Sequence, residues 1–458
     1  MTTDWGFDTL QIHAGASPDP ATRARVTPIY QSASFTYEST DQAAASFLLD
    51  DLDGFAYSRI SNPTTAAAER RIAALEKGTA AVAVASGQAA TTVALLNLLR
   101  AGGHVVASDQ VYGGTTNLLL QRFPELGIDV SLVSDINNPD AWRRHIRPTT
   151  RAFFAESIGN PTGAVLDIPA IAEVAHRDAG VPLVIDNTLA TPYLLRPIVH
   201  GADIVVHSTT KYLAGHGTSI GGVVVDAGTF DFGADPHKWP GLHGADVGHG
   251  DRSYWERFGA DGIAYALRLR TTLVRDYGPA PSPFNSFLLL QGLETLSLRV
   301  RQHVANAEAV VAFLHAHPLV ERVHYPTAHD APWRDIARRL LPRGAGGVVS
   351  FDLAGGRDAA RAFVESLELF SHLANIGDVR SLVIHPASTV NSGLTDEQLH
   401  RAGIGPGLLR LSIGTESADD LIRDLERGFA ASALTARRID PTPDLPSPTT
   451  PEPTRSQP

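Results

Sequence analysis

The chain has 458 residues, 43% hydrophobic and 19% charged, a balance of folded globular proteins and not of disordered ones. Its formal charge of −11, with 18 histidines counted as neutral, argues against a nucleic-acid or anionic-membrane partner across the whole surface. Without a cysteine it has no disulfide, no thiolate nucleophile and no zinc–thiolate site.

The opening residues, Met1 to Asp8, have neither the basic start nor the apolar core of a signal peptide. The most apolar run, Ala80 to Leu99, is interrupted by Ser86, Gln88, Thr91, Thr92 and Asn97, too often for a membrane span. A soluble, cytoplasmic protein is therefore the expectation.

Residues 1–60 show little periodicity, but they carry Pro18, Pro20 and Pro28 among Tyr30, Phe35, Tyr37, Phe47, Phe55 and Tyr57. An irregular arm this rich in aromatics is expected to pack on something. From about residue 64 helices and short apolar strands alternate. The pattern predicts helices over 67–77, 87–99 and 168–179, the last with Asp167 as its N-cap and Pro169 in its first turn. Strands are predicted at 81–85, 104–108, 128–133, 151–155, 182–186, 204–206 and 222–225. Such alternation implies an α/β fold with a mostly parallel sheet covered by helices on both faces.

Residues 227–283 break the rhythm with glycines, histidines and aromatics and read as an insertion of long loops and a short helix. Its histidines at 237, 243 and 249 lack any compact ligand spacing, and no metal is expected. One long helix is predicted from near Phe287 to Pro318, with Leu293, Leu296, Val300, Val304, Ala307, Val311 and Leu314 on one face. A smaller α/β unit follows, with strands at 320–324, 347–353, 381–385 and 408–413 and a last helix opened by Ser417-Ala-Asp-Asp420. The division expected is an arm (1–60), a large domain (61–285) holding the insertion, a smaller C-terminal domain (286–435) and a disordered proline-rich tail (436–458).

In an open parallel sheet, ligands bind outside the carboxyl ends of the strands. Those ends here carry Ser86-Gly87-Gln88 before a helix start, a place for an anion. They also carry Tyr112 beside two glycines, Glu156 through Asn160, and Asp186-Asn187-Thr188, where an acid can pair with a cationic ring nitrogen. The strand at 204–206 runs into Ser208-Thr209-Thr210 and then Lys211, followed by Gly215, Gly217, Gly221 and Gly222. Lysines that form Schiff bases with a pyridoxal cofactor sit in such settings, although a lysine leaving a strand on a turn looks the same in isolation.

Together these runs resemble the Cys/Met-metabolism family of fold-type-I pyridoxal 5'-phosphate (PLP) enzymes over roughly residues 5–435. The matching stretches are Tyr57-Ser-Arg-Ile-Ser-Asn-Pro-Thr64, Tyr112-Gly-Gly, Glu156-Ser-Ile-Gly-Asn-Pro161, Asp186-Asn-Thr and Asp203 through Gly222. Further along come Ser282-Pro-Phe-Asn285, Leu290-Gln-Gly-Leu-Glu-Thr-Leu296, Ser381-Leu-Val-Ile-His-Pro-Ala-Ser388 and Arg410-Leu-Ser-Ile-Gly414. The opening Phe7 to Gly15, the insertion and the Leu-Val-Ile-His-Pro run are similar to the branch that replaces the γ-acyloxy group of an O-acylated homoserine.

The resemblance implies a PLP enzyme of the type I fold that takes O-acetyl-L-homoserine and sulfide, or a small thiol, to homocysteine or methionine and acetate. Cystathionine-forming and γ-lyase activities on the same scaffold stay open as alternatives. It further implies that Lys211 holds the cofactor and shuttles protons, that Asp186 pairs with the ring nitrogen, and that Tyr112 stacks on the ring. Gly87, Gln88, Ser208 and Thr210 would hold the phosphate, joined by Tyr57 and Arg59 from a neighbouring subunit of a dimer of dimers. Arg410, Asn160 and Ser381 would hold the substrate carboxylate. Two stretches depart from the family pattern. Gln88 stands where methionine is common, and Val390-Asn391-Ser392-Gly393-Leu394 replaces a Thr-His-containing loop.

Overall fold

A computed structural model of the chain describes residues 5–401 and 403–439. Of the expected tail, residues 440–458 lie outside the described residues; the last helix runs from Ala418 to Ile439. The large sheet has seven strands: β1 (Ala80–Val84), β2 (His104–Ser108), β3 (Asp129–Val133), β4 (Thr150–Glu156), β5 (Leu183–Asp186), β6 (Ile204–Ser208) and β7 (Gly222–Asp226). Their order is β1-β7-β6-β5-β4-β2-β3. Every pairing from β6 to β3 is parallel, and only β7 runs against its neighbours β1 and β6. Strands buried on both faces must be apolar throughout, which accounts for Val105-Val106-Ala107, Phe153-Phe154-Ala155 and Val205-Val206.

The arm is more regular than its sequence suggests. It contains two short helices, α1 (Phe7–His13) and α2 (Thr40–Phe47), the second capped by the Ser39 hydroxyl on the Gln42 N–H. Helices this short give little periodic signal. Helix α3 (Pro63–Glu76) starts on an Asn62 cap and ends at Lys77, which itself takes the left-handed conformation. Helix α4 (Gly87–Leu96) follows β1 directly.

Two expectations are corrected. Asp167 does not cap the helix at 168–179: its side chain makes no cap bond, and its carboxylate reaches Arg339 Nη2 at 2.6 Å. The single helix expected from Phe287 is two, Pro283–Glu294 and Leu296–Ala316, broken at Thr295. The physical cause is Arg299, whose guanidinium donates to the Gly292 carbonyl at 2.6 Å and to the Tyr212 carbonyl at 2.8 Å. The Gly292 carbonyl is shared, still accepting the Thr295 N–H at 3.4 Å, and a guanidinium inserted at that point of the ladder bends the chain there.

The C-terminal unit is a five-stranded sheet of β8 (Val320–His324), β9 (Val348–Leu353), β10 (Ser371–His372), β11 (Leu382–Ile384) and β12 (Leu408–Ser412). Its order is β10-β11-β12-β9-β8, antiparallel except for the β10–β11 pair. The two-residue β10 is too short for any sequence pattern to mark. Leu421, Leu425 and Phe429 of the last helix are buried, with Phe429 among Phe351 and Phe363.

Candidate active site

The carboxyl ends of β1, β2, β4, β5 and β6 open on one crevice that β12 approaches from the second unit. At the end of β1 the Ser86 hydroxyl caps α4, accepting the Ala89 N–H at 3.1 Å. The Gly87 and Gln88 amides in that first turn have no partner among the described residues. Two free N–H groups at the positive end of a helix form an anion site. Residue 87 must be glycine, because a Cβ there would stand 2.5 Å from Cβ of Ser208. The Ser208 backbone N–H is held by the Thr188 hydroxyl at 2.8 Å. The Thr210 hydroxyl is turned instead to the Gly221 peptide, donating to its carbonyl at 3.2 Å and accepting its N–H at 3.1 Å.

Tyr112 caps nothing, and its side chain lies open, 55% exposed. Its backbone N–H donates to Glu156 Oε1 at 2.6 Å, so the carboxylate at the end of β4 sets where the tyrosine begins. Gln88 ties the same loop from the other side through the Gly114 carbonyl at 3.2 Å.

Asp186 ends β5 in register with Glu156 and accepts the Thr188 N–H at 2.9 Å. Burial pushes both carboxyls above their ordinary values, Glu156 the more strongly because Asp186 lies beside it. A cationic ring nitrogen against Asp186 would relieve that repulsion. Beneath the pair runs a buried network the sequence did not reveal. Asn187 donates to Glu76 Oε1 at 2.9 Å and receives the Ser157 hydroxyl at 2.8 Å, while His207 Nε2 meets the same Glu76 oxygen at 2.7 Å. Glu76, at the end of α3, thus fastens β5 and β6 just behind Asp186.

Lys211 follows β6. Its Nζ donates to Asn375 Oδ1 at 2.5 Å, and burial, seconded by the nearby Arg410 charge, pulls its pKa from 10.5 to about 8. Arg410 sits in β12 opposite Ser350 of β9 and Ile384 of β11. It donates through Nη1 to Asn160 Oδ1 at 3.2 Å and through Nη2 to the Asn375 carbonyl at 3.4 Å. The Asn375 turn is fixed by Gly377, whose N–H donates to Ser412 Oγ at 2.9 Å. Gly377 has φ 73°, and a Cβ there would lie 2.7 Å from the Tyr212 nitrogen.

The structure therefore gathers Lys211, Arg410 and Asn160, but it adds Asn375 and leaves out Ser381. Ser381 is wholly buried; its hydroxyl donates to Glu416 Oε2 at 2.9 Å and accepts the Gly414 N–H at 2.8 Å. Ser381 ties together the second unit's own backbone and has no atom free for a ligand. Asn375 carried no signal in the sequence, because its role rests on a contact across 164 residues. Tyr57 and Arg59 are also not drawn to this crevice within the chain. Tyr57 is 44% exposed with the Arg59 guanidinium 5.4 Å from its ring centre, and Arg59 Nη1 donates to the Arg275 carbonyl.

The donor set fits a PLP molecule: free amides and the Ser208 hydroxyl for a phosphate, a carboxylate for a ring nitrogen, a tyrosine face, and a lysine of lowered pKa for an aldehyde. Residues 8–430 match the family described as Cys/Met metabolism PLP-dependent enzyme. The chain is 48% identical over 430 residues to the O-acetyl-L-homoserine sulfhydrylase of Corynebacterium glutamicum, covering 93% of this chain and 97% of that one. It is 46% identical over 424 residues to the homocysteine synthase of Schizosaccharomyces pombe, covering 92% and 98%. Among solved structures it is similar to a candidate O-acetylhomoserine (thiol)-lyase of Campylobacter jejuni, with a TM-score of 0.88, 37% identity and coverage of 93% and 100%. That protein carries N'-pyridoxyl-lysine-5'-monophosphate at its own position 205.

Proposed function

The chain belongs to the Cys/Met metabolism PLP-dependent enzymes, and from that premise we propose that it exchanges the acetoxy group of O-acetyl-L-homoserine for sulfide or a small thiol. The products are L-homocysteine, or L-methionine from methanethiol, and acetate. The observation that carries this reading is the meeting of Lys211 and Arg410 on Asn375, an amine and a guanidinium brought together by one residue.

Pyridoxal phosphate, when bound, supplies an electron-withdrawing ring that makes the protons at Cα and Cβ of an attached amino acid removable. The residues do the rest. The Gly87 and Gln88 amides and the Ser208 hydroxyl would hold the phosphate, with Thr210 ordering the loop behind them. Asp186, fastened from behind by Glu76 and Asn187, would pair with the ring nitrogen, and Tyr112 would stack on the ring. Arg410 offers its planar fork to the substrate carboxylate, helped by Asn160 and Asn375. Lys211 would then serve as the base at the substrate's Cα. With its pKa lowered to about 8, its amine would take a proton there and return one later. The Cγ–O bond breaks, acetate leaves and the Cγ–S bond forms. Closure of the crevice against water favours sulfur addition over loss to an oxo acid.

Tyr57 and Arg59 complete the phosphate site of a neighbouring subunit in this reading, within a dimer of dimers. Exposed apolar side chains on and near the arm (Val26, Phe47, Leu52, Tyr57 and Phe284) support such an assembly. We place the enzyme in the cytoplasm by its likeness to these metabolic relatives. The test is to supply O-acetylhomoserine with sulfide, with methanethiol or with cysteine and to identify the products. Homocysteine or methionine as the main product is expected. Cystathionine as the favoured product, or 2-oxobutyrate in excess, would assign the chain to the other activities of the scaffold.

A further inference from the structure

Within the chain, segment 246–277 does nothing in the chemistry described above, yet it makes a dense set of polar contacts to the arm. Arg257 donates through Nη1 to the Leu48 carbonyl and through Nη2 to the Leu49 carbonyl, both at 2.7 Å. These carbonyls follow the end of α2, where a helix leaves its last carbonyls unpaired, and Leu49 takes a left-handed turn with φ 60°. Arg257 and Arg252 then both reach Asp50 Oδ1, at 2.8 and 2.7 Å. Leu48 also packs against Gly250, whose φ of 75° favours glycine.

Further along the arm, Arg270 donates to the Ile60 carbonyl at 3.2 Å, and Arg59 donates to the Arg275 carbonyl. The Arg275 carbonyl lies in the last turn of its helix, just before Gly278, where a positive group is favoured. The Arg275 side chain is itself held by Asp276 at 2.7 Å and by His249, whose other ring nitrogen meets the Tyr254 hydroxyl at 3.0 Å. Exposed ion pairs contribute little singly, but guanidinium groups bridging backbone carbonyls and a shared carboxylate define a geometry.

We infer that segment 246–277 is the seat of the arm. By holding Leu48, Leu49, Asp50 and Arg59 it fixes the direction in which Tyr57 and Arg59 project, and Arg257 is a positioning residue for the cofactor site of the neighbouring subunit. The inference rests on the reading that Tyr57 and Arg59 complete that site. It accounts for the segment that interrupts the strand–helix alternation. Without the seat, the two donors would be held only by the arm's own contacts, such as Ser58 N–H to the Ala33 carbonyl and Asn62 to the Ser58 hydroxyl, and the ordering left to the moment of binding would weaken the site.

The experiment titrates the full-length apoenzyme with pyridoxal phosphate and reads its Kd from protein fluorescence, with assembly mass and helical content followed alongside. Arg257→Met is expected to raise the Kd on the order of tenfold while mass and helical content stay unchanged. Tyr57→Ala/Arg59→Ala raises it at least as far, and adding Arg257→Met to that pair raises it no further, because the seat acts only through those two side chains. Asp50→Asn, which spares the backbone contacts, gives a smaller shift in the same direction and covers the case in which Arg257→Met fails to fold. Wild-type affinity in Arg257→Met and Asp50→Asn, or full additivity in the triple variant, overturns the inference. If Tyr57→Ala/Arg59→Ala itself binds with wild-type affinity, the reading of the arm falls and takes the inference with it.

Discussion

Lys211 and Asn375 meet at 2.5 Å, amine to side-chain carbonyl, joining the end of β6 in the seven-stranded sheet to a turn of the unit built on the five-stranded one. The same turn offers its backbone carbonyl to Arg410. Opening the cleft between the two units would therefore separate the amine from Arg410, which we propose receives the substrate carboxylate.

The Lys211 amine gives a pH signature. Its pKa of about 8 reflects burial first and the Arg410 charge second, so removing that charge or adding a negative one must raise it. Competitive acetylation of the apoenzyme, read by mass spectrometry at Lys211, should show a midpoint near pH 8 in the wild type. It should move upward in Arg410→Gln and in Asn375→Asp. The linkage has a defined sign: between about pH 8 and 10.5 the unfolded chain binds more protons at this lysine than the folded one. Stability from this group therefore rises with pH through that window, and the full cost is present below it. A midpoint near 10.5 in the wild type would contradict the buried placement.

Arg410 and Ser381 should separate cleanly. Arg410→Lys replaces a two-pronged contact by a point charge, and KM for the amino acid should rise on the order of 10- to 100-fold, the loss of a charge-assisted bond (~1.5–3 kcal/mol). Asn375→Ala should raise KM in the same direction. Ser381→Ala should leave KM unchanged and lower stability by ~1–3 kcal/mol in urea unfolding, because it strips partners from Glu416 and Gly414. A large KM effect in Ser381→Ala would restore the expectation drawn from the family resemblance.

The origin of Arg59 is open to complementation. Lys211→Ala and Arg59→Ala chains are each expected to be nearly inactive alone. Co-expressed, they form mixed dimers in which one site has both its lysine and a neighbour's arginine, and activity returns. If Arg59 serves its own chain, no mixed dimer contains an intact site and activity stays absent.

The buried network behind Asp186 should be costly to break. Glu76 is wholly buried and receives both Asn187 and His207, so Glu76→Ala leaves the His207 ring without a partner and removes one of the two bonds that the Asn187 amide donates, the other going to the Leu195 carbonyl. Stability should fall by ~3–5 kcal/mol, measured by urea unfolding of the apoenzyme. A loss below about 1 kcal/mol would mean that the network does not fasten the two strands.

The legible part of this protein was the part written in local patterns. Alternating strands and helices gave β1 to β7 nearly to the residue, since doubly buried strands must be continuous apolar runs. Their carboxyl ends pointed to Lys211, Asp186, Tyr112 and Gly87, which the fold places around one crevice. The illegible part depends on contacts distant in sequence. The break at Thr295 needs Arg299 to reach Tyr212, and Asn375 needs Gly377 to fit against the same tyrosine. Ser381 shows the converse hazard: a family motif can be matched while the side chain itself turns to Glu416.

The central claim is that Lys211 holds the cofactor, and the composition makes it unusually testable, because the chain has only three lysines, Lys77, Lys211 and Lys238. Lys77 is a left-handed helix cap, and Lys238 donates to the Ala179 and Gly180 carbonyls. Borohydride reduction of the PLP-loaded enzyme, followed by peptide mapping, should place a phosphopyridoxyl group on Lys211 and on neither of the others. An adduct on Lys77 or Lys238, or none on Lys211 in a protein that still turns over O-acetylhomoserine, would contradict the account.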